Sequence, residues 1–267
     1  MKSSLQLNFF LSKKILGVLI LLTSFACKSP KKYSVAITDF RDDLRPYFQK
    51  LDLEKRIPSM DTIAYQYVQK NCSKEELLQL LNCESPILRT IAFRTLVDNN
   101  EKDAFKILLT HLDDTTKVVY WYYEDASENF MVSDLLIRKI EPKLTPNEKI
   151  ILVDSVLLKH SNLFYSNWMI RDIKPNEKYY SLIKERSKIK TKRCGTQLGS
   201  CYALSKFKKK QDLEFLTNIF KKLEYPCEDW IFKAIENNPE EIYFPILTKY
   251  YETKIKKIKQ DNYEQLK

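Results

Sequence analysis

From about Asp39 onward, apolar residues recur at the three- and four-residue steps that put them on one face of a helix. Over Pro86 to Val97, Ile87, Leu88, Ile91, Ala92 and Leu96 form such a stripe, and Ala104, Phe105, Leu108, Leu109 and Leu112 form the next. The polar turn between them, Asp98 to Glu101, is so short that the two helices must run antiparallel. Helix starts are marked by Ser73 with Glu76 and by Thr145 with Glu148, both at capping-box spacing. Pro146 and Pro239 follow Thr145 and Asn238, where a first helical residue has no use for an N–H. The N-terminus differs: Lys2, Lys13 and Lys14 precede an apolar run from Ile15 to Leu22, then Thr23, Ser24, Phe25, Ala26 and Cys27. That run is short for a bilayer span, which takes about 20 residues, and reads as a signal peptide.

The turn and second stripe occur twice. Aligned without a gap, Asn99, Asn100, Leu109 and Thr110 recur as Asn237, Asn238, Leu247 and Thr248. Helical hairpins that cannot bury their own faces stack on copies of themselves, so this echo points to a repeat array. The segment Ser85-Pro86-x-x-Arg89-x-x-Ala92-x-x-x-Leu96, followed by Ala104, Leu108, Leu112 and Asp113-Asp114 before Val118, resembles a HEAT repeat. Weaker copies run from Cys201 to Leu223 and from Trp230 to Tyr251, while 147–193 has helical spacing without an alignable motif. The resemblance implies an all-α, curved right-handed solenoid of about four to six stacked antiparallel hairpins, used for binding proteins or nucleic acid and not for catalysis.

The expected organisation is a signal peptide over 1–26, a lipidated tether over 27–37, the helical-repeat domain over 38–260 and a tail over 261–267. Ser24-Phe25-Ala26 before Cys27 resembles a bacterial lipoprotein cleavage box, which makes Cys27 the acylated first residue; a plain secretory signal is the other reading. Cleavage there removes three lysines and no acids, taking the formal net charge from +10 to +7. Lys28, Lys31 and Lys32 of the tether can lie against anionic headgroups. The expected location is therefore the bacterial cell envelope, with the outer membrane favoured over the inner because Lys28 is not aspartate.

Composition narrows the chemistry. Three glycines in 267 residues leave no phosphate-binding loop and make sheet-rich folds unlikely; two histidines, His111 and His160, leave no zinc-peptidase or His-based triad signature. No metal, cofactor or catalytic residue is expected. His111 suits a helix C-terminus, and the acid pairs Asp113-Asp114 and Glu124-Asp125 suit turns. Cys194 and Cys201 bracket Gly195 and Gly199, a loop that could fold back into a disulfide; Cys72 and Cys83, at opposite ends of a helix, cannot pair.

Two features read as partner surfaces. Tyr120, Trp121, Tyr122 and Tyr123, taken as helical, would sweep every face, so at least one is exposed or neighbouring helices enclose them all. Lysines precede and follow the Gly195 segment, Lys206, Lys208 and Lys209 among them, as a binding patch or as an ordinary solvated face. The patch resembles a nucleic-acid footprint, but export argues for an envelope protein partner or an anionic lipid and against nucleic acid. The expected function is a membrane-anchored scaffold or adaptor. An immunity-type lipoprotein that neutralises a toxin, an envelope enzyme and an anionic lipid- or glycan-binding protein are the alternatives.

Overall fold

The computed structural model describes residues 33–57, 62–123, 126–190, 195–222 and 228–265. The chain is mostly helical. In order it forms α1 (Arg45–Leu53), β1 (Arg56–Ile57), α2 (Ile63–Asn71), α3 (Lys74–Leu80), α4 (Pro86–Asp98) and α5 (Ala104–Thr110). Then come β2 (Lys117–Tyr123), β3 (Ala126–Met131), α6 (Val132–Ile140), α7 (Pro146–Lys159), α8 (Tyr165–Asp172) and α9 (Glu177–Ser187). The last four helices are α10 (Gly195–Ser205), α11 (Leu213–Phe220), α12 (Glu228–Asn237) and α13 (Phe244–Gln265).

Local chemistry sets the helix starts. In α3 and α7 the capping boxes close in both directions: Glu76 N–H donates to Ser73 Oγ at 3.2 Å, and Ser73 N–H to the Glu76 carboxylate at 2.8 Å. At α7 the matching bonds join Thr145 and Glu148 at 3.3 and 2.9 Å, with Pro146 as the first helical residue. Ser85 caps α4 through the Leu88 N–H, again followed by proline. Pro239 departs from expectation, because it sits in the connection and α13 begins only at Phe244, after a 3-10 turn.

Two helices are buried nearly all round. On α4, Arg89, Thr90 and Thr95 are covered along with the apolar residues, since α1, α2, α3, α5, α6 and the strands pack around it. On α10, Gln197 to Cys201 and Ala203 to Ser205 are buried against α8, α9 and α12. Gly199 of α10 lies against the Arg171 stem of α8: a Cβ there would come within 2.8 Å of Arg171 Cγ, so the close approach requires glycine. Helices pack on their chain neighbours, as in α3 with α4 and α9 with α10, and on helices two further along, as in α4 with α6, α5 with α7, α8 with α10 and α10 with α12. Buried apolar side chains from Phe40 to Tyr243 form one contiguous core.

Three expectations are corrected here. Lys117 to Tyr123 is a strand, pairing antiparallel with β3 and parallel with the short β1, so the aromatic run is not helical. Gly195 to Cys201 is helical rather than a folded-back loop, and Cys201 is a buried free thiol, as is Cys83. Packed chain begins before residue 38: Val35 bridges Cys83, and Tyr33 stacks 3.8 Å from the Arg89 guanidinium. Lipidation at Cys27, the first half of the Cys194–Cys201 pair and the turn acids Glu124-Asp125 lie outside the described residues.

Candidate functional site

A cleft lined by both apolar and charged side chains opens between α7 and α8. Its position follows from the caps that start them: the α7 box described above and, for α8, the buried Asp134 carboxylate of α6. That carboxylate accepts the Tyr165 N–H at 2.8 Å and the Phe164 N–H at 3.3 Å. Burial pushes the Asp134 carboxyl upward in pKa, and those two N–H groups oppose the shift.

The cleft has a volume of about 320 Å³. Leu152 and Val153 of α7 and Met169 and Trp168 of α8 give it apolar walls, with Ile173 beyond the end of α8. At one side Tyr165 donates its hydroxyl to Glu141, and burial together with that carboxylate drives the tyrosine pKa up. The rim carries both signs of charge, Lys149 and Arg171 against Asp172. Arg171 Nε is buried without a hydrogen-bond partner among the described residues, while its guanidinium lies 5.2 Å from the Trp230 ring. A space this size is at the small end of ligand sites, suited to one or two side chains held against Trp168 with polar ends on the rim.

An aromatic series joins this cleft to the strands. Trp168 lies 5.6 Å from Phe164, Phe164 5.8 Å from Phe130 of β3, and Phe130 6.0 Å from Tyr120 of β2, each pair edge-on. Phe164 is 38% exposed. The sequence offered a signal, the cluster of Phe164, Tyr165 and Trp168 at steps of one to four, but no motif drew attention to it.

The residues singled out from sequence separate. Trp121 is exposed on the outer face of β2, with Arg56 of β1 5.0 Å from its ring centroid. Tyr122 and Tyr123 continue that strand; their side chains are outside the description. Lys206 is absorbed structurally: Nζ donates to the carbonyl oxygens of Arg171 at 2.5 Å and Ile173 at 3.3 Å, completing the C-terminal end of α8, and burial lowers its pKa. Lys209 pairs with Glu177 at 2.7 Å and lies 3.5 Å from the Tyr180 ring centroid. Lys208 is exposed, in a left-handed turn with φ 52°. The acid and histidine positions serve the fold: His111 caps the end of α5 with Nδ1 2.9 Å from the Ile107 carbonyl oxygen, and Asp114 is buried against Arg89, 25 residues earlier.

No family of known proteins matches this chain, and no curated protein or solved structure matches it either.

Proposed function

We propose that the chain is a lipid-anchored helical-repeat protein of the bacterial cell envelope, a scaffold or adaptor that holds another macromolecule and performs no catalysis. In this reading Cys27 carries the acyl anchor, the helices form a HEAT-like solenoid of stacked hairpins, and the α7–α8 cleft receives side chains of the partner.

The observation that carries the solenoid is a recurrent tie. Asn99, at the end of α4, donates its side-chain amide to the Gln69 carbonyl oxygen 30 residues earlier; its sequence counterpart Asn237, at the end of α12, donates to Ser205 Oγ 32 residues earlier. Other ties have similar reach, such as Tyr65 to Asp98 over 33 residues and Tyr180 to Asp212 over 32. Ties across the chain also include reaches of 19 residues, Arg186 to Asn167, and of 46, Lys143 to Val97; those of 30 to 33 match the length of one helical hairpin, the spacing that stacked hairpins held each to the next would use. Such a body presents Phe164, Trp168 and the rim charges at set separations, and exposed aromatics beside a pocket are favoured anchors for protein contacts.

The test is cross-linking and capture of the acylated protein from native envelope membranes. One partner recovered in stoichiometric amount, and lost on Phe164→Glu, supports the scaffold. Recovery that is equally diffuse for both proteins argues against it.

A further inference from the structure

The described residues begin at a defined place in the fold. Tyr33 stacks 3.8 Å from the Arg89 guanidinium, whose Nη2 donates at 3.0 Å to Thr116, the residue preceding β2. Cys27 is six residues before Tyr33, a span of at most about 21 Å even when fully extended. From Thr116, five residues of strand carry the chain about 17 Å to Trp121. An anchor at Cys27 therefore leaves the bilayer within reach of the region that carries the sheet.

In that region lies a group of exposed side chains that the fold does not use. Leu53, the last residue of α1, is 78% exposed; Ile63, the first residue of α2, is 74% exposed; Trp121 is 39% exposed. All three flank β1, which lies between α1 and α2 and pairs with β2 through Arg56 and Val119. Lys55 and Arg56 are exposed among them, with Lys50 and Lys117 nearby. These four cations outnumber the acids beside them, Asp52, Glu54 and Glu128, and exposed apolar and indole groups with a net positive surround suit the headgroup level of an anionic bilayer. Lys55 adds a backbone argument, because at φ 50° it occupies a left-handed position after a helix end where glycine is favoured.

We propose that the rim formed by Leu53, Lys55, Arg56, Ile63 and Trp121 is a second membrane contact, resting on the same bilayer that holds the Cys27 anchor. This rests on the lipid-anchored reading above. The two contacts orient the molecule with β1 and β2 toward the lipid.

The experiment uses the acylated full-length protein on vesicles of equimolar phosphatidylcholine and phosphatidylglycerol with brominated acyl chains, and reads tryptophan quenching. The expected result is quenching that Trp121→Phe abolishes and Trp230→Phe leaves intact. Lys55→Gly with Arg56→Gln, two exposed positions whose replacement keeps the fold, is expected to reduce it by at least half. Acylated protein that floats with the vesicles while Trp121 remains unquenched overturns the contact and leaves the anchor standing. Protein whose mass shows no acyl group on Cys27 overturns the anchor, and the orientation falls with it.

Discussion

Arg89 shows how a single residue can organise a region through complete use of its donors. Nε and Nη2 donate to Asp114 at 2.7 and 3.1 Å, Nη1 to the Cys83 and Glu84 carbonyl oxygens at 2.8 and 2.9 Å, and Nη2 also to Thr116. Both members of the pair are almost entirely buried, at 2% and 1% side-chain exposure, so neither charge can fall back on water. Arg89→Lys keeps the charge but loses the planar fork, and is expected to lower stability by about 3 kcal/mol in urea denaturation. The double change Arg89→Met with Asp114→Leu should cost less than Arg89→Met alone, because it leaves no orphaned carboxylate. Gly199 makes the complementary case by absence: Gly199→Ala sets a methyl 2.8 Å from Arg171 Cγ and should cost about 1–3 kcal/mol. Combining it with Arg171→Ala should recover part of that loss, which a double-mutant cycle would measure.

At the scale of elements, the capping boxes make a pH-dependent prediction. In the folded chain the Thr145 hydroxyl, and after it the Thr145 backbone N–H, hold the Glu148 carboxyl below the ordinary glutamate value of 4.5. A carboxyl lowered on folding contributes above its unfolded value and loses that contribution as pH falls through the folded one. Protection factors for the first-turn amides of α7, corrected for the intrinsic slowing of exchange in acid, should therefore fall as the pH drops below 4.5, and Glu148→Gln should flatten that response. These boxes were legible in the sequence because a cap is a local contract between residues three apart. The helical stripes were legible for the same reason. The strands were misread: Val118 to Tyr123 carries the β-branched and aromatic residues that suit a pleated strand, yet it lies among helices and has no glycine at its turn. The α7–α8 cleft was invisible because its walls come from two helices whose approach depends on Asp134, 30 residues before Phe164. Burial also escaped the sequence. Nothing in the run around Lys206 says that this lysine closes the end of α8 while Lys208 beside it stays in water.

For the whole molecule, the decisive property is how far a disturbance travels. When each unit touches mainly its neighbours, stability approximates a sum of unit and interface contributions, and damage at one end need not unfold the other. The ties from Asn99 to Gln69 and from Asn237 to Ser205 are of this neighbour-to-neighbour kind, and α12 meets α10 without reaching α4 or α6 among the principal helix contacts. Ile235 offers a clean perturbation, since it is buried in α12 within the contiguous core. Ile235→Ala should remove about 2–5 kcal/mol of local packing. Hydrogen exchange followed by mass spectrometry should then show faster exchange across α11, α12 and the start of α13, while α4 and α6 exchange as in the parent. Exchange that rises equally in α4 would mean that the core responds as one cooperative globule. The stacked reading would then be wrong despite the recurring asparagines, because recurrence in sequence carries mechanical meaning only where the units also unfold one after another.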